Sequence, residues 1–261
     1  MDNAEAAEVR ALFDRQMRRD APPDGPGARM ERVGAVVRHC GPDPAWNGVL
    51  WSDLDASDAD REIAEQVRYF TAAGRPFEWK HYAHDTPGDL EERLRAAGFT
   101  AEPAEALMVA RAADQTAEVA LPEGVELVRV TDEAGIGLLA AVHTAAFGTD
   151  SSLLARRLEL QLAEAPETLV AVLAMADGVP VSAARIDFVP GTDFAGLWGG
   201  GTAEAWRGKG IYRALVSYRA RVAVERGYRF LMVDAMDDSR PILQRLGFTR
   251  LSTTTPYVYE P

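Results

Sequence analysis

The residues best suited to chemistry lie between Leu197 and Leu215, where five glycines and three basic side chains stand together. The run is Leu197-Trp-Gly199-Gly200-Gly201-Thr202-Ala-Glu-Ala-Trp206-Arg207-Gly208-Lys209-Gly210-Ile211-Tyr212-Arg213-Ala-Leu215. Ile211, Leu215, Tyr218 and Val222 recur at helical spacing, so the segment reads as a strand, a glycine turn and a long helix. A helix entered through glycines presents unpaired backbone N–H groups beside the positive end of its dipole. Gly208 and Gly210 let that backbone curl round an anion with no Cβ in the way. Arg207, Lys209 and Arg213 add positive charge to an otherwise acidic chain. The pattern predicts a seat for a diphosphate; the plainer reading is a tight strand-to-helix turn.

Two phosphate loops are excluded by position. A Walker loop needs Ser or Thr after its lysine, and Lys209 is followed by Gly210. A dinucleotide fingerprint counted from Gly208 needs a sixth-position glycine, and finds Arg213.

Around this segment the periodicities predict alternating elements. Ala4 to Arg19 is an amphipathic helix carrying Val9, Leu12, Phe13 and Met17. Strands are expected over Met30–His39, Asn47–Trp51 and Phe77–Tyr82, with a helix from Asp58 to Ala73 ended by Gly74. Thr86 and Pro87 open a short helix that closes at Gly98, with Asp85 and Thr86 as its caps. The second half reads as a strand at Val125–Val130 and helices at Ala134–Phe147 and Leu153–Ala163. Strands follow at Leu169–Met175, Val181–Val189 and Phe194–Ala203, the first two joined at Asp177-Gly178. The helix Ile211–Arg226, the strand Phe230–Ala235, a short helix Arg240–Leu246 and a last strand Tyr257–Tyr259 complete the chain. Leu94-Arg-Ala-Ala-Gly98-Phe99-Thr100 aligns without a gap on Leu243-Gln-Arg-Leu-Gly247-Phe248-Thr249, and Val109 then falls opposite Val258. A repeated supersecondary unit implies two related halves.

Arg207-Gly-Lys-Gly210-Ile-Tyr212 resembles the Arg/Gln-x-x-Gly-x-Gly/Ala motif with which GNAT superfamily N-acyltransferases hold the acyl-coenzyme A diphosphate. Thr202, Leu246-Gly247-Phe248 and the order of elements from Val125 to Tyr259 resemble the same family; the first half does so only faintly. The resemblance implies an α/β fold of the α+β type, a mixed, mostly antiparallel sheet flanked by helices. It implies a degenerate GNAT-like domain over 1–117 and an acyl-CoA-binding GNAT domain over 118–261. It also implies N-acetyl transfer from acetyl-CoA to an amine-bearing acceptor. Gly201, Thr202, Arg207, Gly208, Lys209, Gly210, Ile211, Tyr212 and Ser239 would contact the cofactor. The pantetheine would run along the strand edge near Gly201 and Thr202, where Phe194–Ala203 and Phe230–Ala235 diverge. Two positions depart from the family: Tyr212 replaces a glycine or alanine, so its side chain must turn away. Leu243 stands where many members carry the tyrosine that protonates the leaving thiolate.

No catalytic residue is assigned. Asp187, Glu204 and Asp234 lie near strand ends and read either as helpers in deprotonation or as ordinary surface acids. Tyr257 and Tyr259 either stand in for the absent acid or pack a terminal strand. With Leu243 in place of tyrosine, a non-catalytic acyl-CoA sensor or scaffold is the competing reading, and a plain nucleotide-binding module a third. His81, His84 and Asp85 have the composition of a metal site, but the three-residue offset along a strand puts the histidines on opposite faces, and no metal is expected. Trp46, Trp51, Trp79 and Tyr69 read as core.

The bulk numbers bound the partners. A formal charge of −12 over 261 residues argues against nucleic acid, which needs a basic face. The single Cys40 excludes an internal disulfide and a multi-cysteine metal site. No apolar run is long enough to span a membrane, and the charged first twenty residues do not resemble a signal peptide, so a cytoplasmic location is expected. The acceptor is not legible, and a homodimer is left open.

Overall fold

The computed structural model describes all 261 residues. The chain opens with α1 (Asn3–Phe13), continued as a wider π turn over Asp14–Arg19. Next come β1 (Arg29–Val33), β2 (Val36–Cys40), β3 (Gly48–Ser52), α2 (Ala59–Ala72) and β4 (Phe77–Tyr82). Then follow α3 (Leu90–Ala96), β5 (Thr100–Ala101), β6 (Glu105–Arg111), β7 (Val125–Val130), α4 (Glu133–Phe147) and α5 (Ser152–Glu164). The last elements are β8 (Leu169–Ala176), β9 (Val179–Phe188), β10 (Phe194–Thr202), α6 (Ile211–Glu225), β11 (Phe230–Ala235), α7 (Arg240–Arg245) and β12 (Thr249–Tyr259). No helix is long and apolar enough to cross a membrane.

Contacts divide the chain into two compact units, Met1–Met108 with Asp234–Pro261, and Val109–Val233. A cut near residue 117 keeps the closing strand with the second half; the contacts group it with the first because β12 pairs antiparallel with β4 from Thr254–Tyr82 to Tyr259–Phe77. Conversely, Ala112 donates to the Arg229 carbonyl at 2.9 Å, and the Ser217 hydroxyl donates to the Ala117 carbonyl, within the second unit. Each repeat thus gives its closing segment, wholly or in part, to the other unit.

In the first unit the ladder runs β1-β2-β3-β4-β12, antiparallel except for β3–β4. Ile63 and Phe70 of α2 and Leu90 and Leu94 of α3 are buried against it, with Phe77 stacked on Phe70 and edge-on to Phe99. In the second unit the ladder runs β7-β8-β9-β10-β11, antiparallel except for β10–β11. Successive residues of a strand face opposite sides, and β8 uses both. Ala171 and Leu173 join Ile136, Leu139 and Leu158 of α4 and α5, whereas Val172 and Ala174 join Ile211 and Leu215 of α6.

The repeated sequence is a repeated helix ending. Gly98 and Gly247 take left-handed φ values of 97° and 88°. The amides of Phe99 and Phe248 donate back to the carbonyls of Leu94 and Leu243 at 3.1 and 3.0 Å, the six-to-one bond of a Schellman cap. Leu94 and Leu243 are both fully buried, so leucine at 243 serves packing.

Three sequence expectations are corrected. Residues 30–39 are not one strand but a hairpin, because Gly34 turns with a φ of 59°. The last strand is not confined to 257–259 but begins at Thr249, eight residues earlier, its threonines alternating over a surface that only pairing makes regular. The helix expected at Thr86 starts at Leu90 after Asp89, and Asp85 does not cap it: its carboxylate binds Arg18 and the Tyr82 amide.

Phe77, only 2% exposed and in contact with Phe70, Phe99 and Tyr259, is the keystone of the first core. Phe77→Ala should cost about 3–5 kcal/mol in urea denaturation, and Phe77→Leu clearly less.

Candidate functional site

β10 and β11 pair in parallel over Phe194–Phe230, Ala195–Leu231 and Gly196–Met232, and the ladder ends there. β9 holds the other edge of β10 out to Ser182–Thr202, across a bulge between Trp198 and Gly201. From Leu197 to Thr202 one edge of β10 is therefore unpaired toward β11. The glycines are dictated by close approach from both sides. A Cβ on Gly200 would lie 2.9 Å from the Tyr212 ring on α6, and one on Gly201 would lie 2.8 Å from the Ala146 Cβ on α4. The Tyr212 side chain is thus folded back over β10, which leaves its backbone amide at the helix mouth.

The end of β10 is pinned. The Ser182 hydroxyl donates to the Gly201 carbonyl at 2.7 Å and lies 2.8 Å from Thr202 Oγ1. A 3-10 turn over Glu204–Trp206 follows, and Arg207 Nε donates back to the Thr202 carbonyl at 3.1 Å. Gly208 and Gly210 take left-handed φ values of 74° and 85°, and a Cβ at either would meet nothing within 4 Å. Gly210 is the N-cap of α6 and offers no side-chain cap; the first backbone bond of the helix is Ala214 to Gly210. The amides of Ile211, Tyr212 and Arg213 therefore have no acceptor in the chain. Arg207, Lys209 and Arg213 are exposed around them and pair with no carboxylate; Lys209 rests its ammonium 4.4 Å from the Trp206 ring centroid. This open, basic, uncapped helix mouth has the chemistry of an anion site.

Eight of the nine residues expected at the cofactor, Gly201 to Tyr212, share this strand end and helix mouth. Ser239 belongs to the first unit, where it precedes α7 and donates to the Met236 carbonyl at 3.1 Å. Among the candidate acids, Asp187 is held by Arg185 Nε at 3.2 Å, and Glu204 is exposed in the 3-10 turn. Asp234 is buried in the first unit against Lys80 Nζ at 2.6 Å. Burial disfavours the Lys80 ammonium, but the Asp234 carboxylate outweighs it and keeps the ammonium charged. Glu105, half-buried nearby, is pushed up to about 7 by burial and by the Asp234 charge. Tyr257 is buried with its hydroxyl on Glu91, and Tyr259 packs against Phe77 and Phe99; both serve the core.

Sequence reasoning missed His143 on α4 and Arg185 on β9, which flank the bulge at Gly199, and Arg219 on α6, which donates to the Arg185 carbonyl. Arg219 is fully buried and spends its guanidinium on the carbonyls of Leu215 and Arg185, tying α6 to β9. Burial pulls it down to about 10. The only signal for His143 was a single imidazole in an alanine- and leucine-rich helix.

The first unit repeats the splay but fills it. β3 and β4 pair in parallel only at Gly48–Glu78 and Val49–Trp79. Just beyond, Arg18 Nε donates to the Leu50 carbonyl at 3.0 Å, and its guanidinium lies over the rings of Tyr82 and Trp51. Asp85 accepts two bonds at 2.8 Å and Asp14 a third, while His84 links Asp14 to Ser252. The two histidines considered for a metal have separate tasks: His81 packs beside Tyr257, and His84 belongs to this network. Near the start of α2 stand Asp55, Asp58, Asp60 and Glu62 in place of glycines, and the one cation among them, Arg61, pairs with Glu62.

Arg18 is 1% exposed and answers two carboxylates. Arg18→Met should destabilise the first unit by about 3–5 kcal/mol, because it leaves buried charge unpaired. Burial pushes the Asp14 carboxyl up, but hydrogen bonds from His84 and Arg18 outweigh it and hold it below the ordinary value of 3.8. A depressed acid stabilises above its unfolded value and loses that contribution as pH falls through its folded one. The wild type should therefore lose stability below about pH 4 more steeply than Asp14→Asn in acid-titrated denaturation.

Residues 138–248 match the family model described as acetyltransferase (GNAT) family. A GCN5-related N-acetyltransferase from Kribbella flavida superposes with a TM-score of 0.70 at 19% identity, covering 99% of this chain and 95% of its own. A GCN5-related N-acetyltransferase from Sphaerobacter thermophilus reaches 0.61 at 17% identity over 88% and 82% of the two chains. A tandem GNAT protein from the clavulanic acid biosynthesis pathway reaches 0.61 at 13% identity over 91% and 85%. No curated protein matches the chain. Residues 138–248 thus match the acetyltransferase (GNAT) family model, within a GNAT-like fold that extends through the whole chain.

Proposed function

We propose that the chain is an N-acetyltransferase that takes its acetyl group from acetyl-CoA through the second unit and passes it to an amine. The observation that carries the reading is the uncapped, glycine-lined, basic mouth of α6 beside the unpaired edge of β10. The amides from Gly208 to Tyr212, with Arg207 and Lys209, would hold the diphosphate. The peptide-like pantetheine would run as an added strand along the unpaired edge of β10 near Gly201 and Thr202, whose own carbonyls are held by Ser182 and Arg207. The bulge would offer a backbone N–H to the thioester oxygen as negative charge develops on it.

One cofactor per chain follows from the contrast between the splays. The carbonyl of Leu50, which an added strand would use, is already taken by Arg18, and the acids near the start of α2 would repel a diphosphate.

The acceptor must react as a neutral amine, and removing the proton from an alkyl ammonium near pH 7 costs about 4–5 kcal/mol. The amine nitrogen then attacks the thioester carbon, the C–S bond breaks, and the coenzyme A thiolate leaves. Leu243 supplies no proton, so the thiolate takes its proton from the departing ammonium of the tetrahedral intermediate or from water. The specific observation that favours a sensor over an enzyme is this same leucine.

Gly210→Asp, which puts a carboxylate at the helix mouth, should weaken acetyl-CoA binding at least about tenfold by calorimetry, and more than Gly210→Asn, which shares its shape without the charge. Unchanged affinity in Gly210→Asp means the diphosphate sits elsewhere. A thiol-release assay across amines then separates enzyme from sensor, and displacement by ATP or NAD would favour a nucleotide module.

A further inference from the structure

Gly199 carries β10 into its bulge with a left-handed φ of 62°, and two polar side chains from other elements converge on it. A Cβ built there would lie 3.9 Å from Cδ2 of His143 and 3.5 Å from Nη1 of Arg185. The His143 ring is fixed. Its Nδ1 lies 2.9 Å from Ser151 Oγ, the Thr144 hydroxyl donates to that Oγ at 3.0 Å, and the His143 and Phe147 ring centroids lie 4.5 Å apart at a tilt of 45°. Ser151 is itself buried. Nε2 of His143 has no partner in the chain.

We propose that His143 is the general base of the acyl transfer, taking the acceptor's ammonium proton on Nε2 at the bulge of β10 while Ser151 holds the ring through Nδ1. This rests on the reading of the second unit as an acetyl-CoA site. The balance is simple. One proton passes from R–NH3+ to Nε2, the freed nitrogen pair forms the C–N bond, and the C–S bond breaks. The second N–H proton leaves with the thiolate as thiol, and the imidazolium returns its proton to water.

Of the three carboxylates weighed from the sequence, Asp187 is engaged with Arg185 and Asp234 with Lys80, and Glu204 is exposed in the 3-10 turn. Burial first, and then the Arg185 charge, hold the His143 imidazole below its usual value, so it is neutral at pH 7. The groups facing it are few. Arg185 comes from β9 with Asp187 behind it, β10 offers Gly199, and α5 packs on α4 through Leu154, Ala155 and Leu158. A base beside a guanidinium also disfavours a protonated resting state, which keeps its lone pair available.

The test has two arms on the full-length chain. Nitrogen-15 NMR of the imidazole, with acetyl-CoA bound, should show the neutral Nδ1–H tautomer at pH 7; the Nε2–H tautomer or an imidazolium overturns the proposal without any acceptor being known. In the second arm, His143→Gln should keep acetyl-CoA affinity within about twofold. With the fastest of spermidine, tyramine and lysine as acceptor, its kcat at pH 7 should fall on the order of 100-fold. The acid limb of the wild-type profile, expected below pH 6.5, should disappear in the variant. Full kcat with that limb intact overturns the base alone. A wild type that binds no acetyl-CoA overturns the underlying reading instead.

Discussion

Two parallel strands that part after two or three residue pairs leave backbone N–H and C=O groups that some partner must satisfy, since an unpaired buried peptide group costs about as much as a lost hydrogen bond. The chain contains this arrangement twice, at β3–β4 and at β10–β11. In the first unit Arg18 provides the partner from within, giving its Nε to Leu50 and its remaining donors to Asp14 and Asp85. In the second unit only Arg207 reaches the splay edge, at the Thr202 carbonyl, and the helix that follows is left uncapped, with cations around its mouth. On the proposed reading the cofactor is the partner there. One backbone geometry thus supports two uses, and the side chain that crosses it decides which.

The same economy explains the exchanged ends. Each repeat closes with a leucine-anchored helix, a left-handed glycine and a phenylalanine, and the strand beyond has to find an edge. β12 finds that edge on β4, which is why Leu243, Tyr257 and Tyr259 are core residues of the first unit. The position that the sequence resemblance aligned with a proton-donating tyrosine is here committed to packing. Chemistry that needs a proton carrier must draw on other elements, and α4 supplies one at the bulge.

Charge follows the same division. The two most deeply buried guanidiniums, Arg18 and Arg219, both act as braces, but with different partners. Arg18 is neutralised by carboxylates and stays firmly charged, whereas Arg219 has only carbonyls to donate to and is drawn down by burial. The exposed cations Arg207, Lys209 and Arg213 are kept free of carboxylates in a chain whose net charge is −12, so the positive field at the α6 mouth is not cancelled locally.

Local features were legible in the sequence because their causes are local. Ile211, Leu215 and Tyr218 announced α6, the glycines at 208 and 210 announced a turn that only φ values of that sign allow, and the Gly-Phe pairs at 98–99 and 247–248 marked the repeated helix end. Strand ends such as those of Phe77–Tyr82, with its alternating apolar residues, and Phe230–Ala235, with its apolar run, were also readable to the residue. What depends on partners distant in the chain was not. β12 was underestimated because a threonine-rich strand owes its order to pairing with β4, Asp85 was mistaken for a cap because Arg18 is 67 residues away, and no periodicity could bring His143, Arg185 and Gly199 together. The sequence by itself determined the turn, the helix and their charge. Only tertiary structure decided which splay is filled from within, because that choice rests on side chains reaching across elements rather than on any run of neighbours.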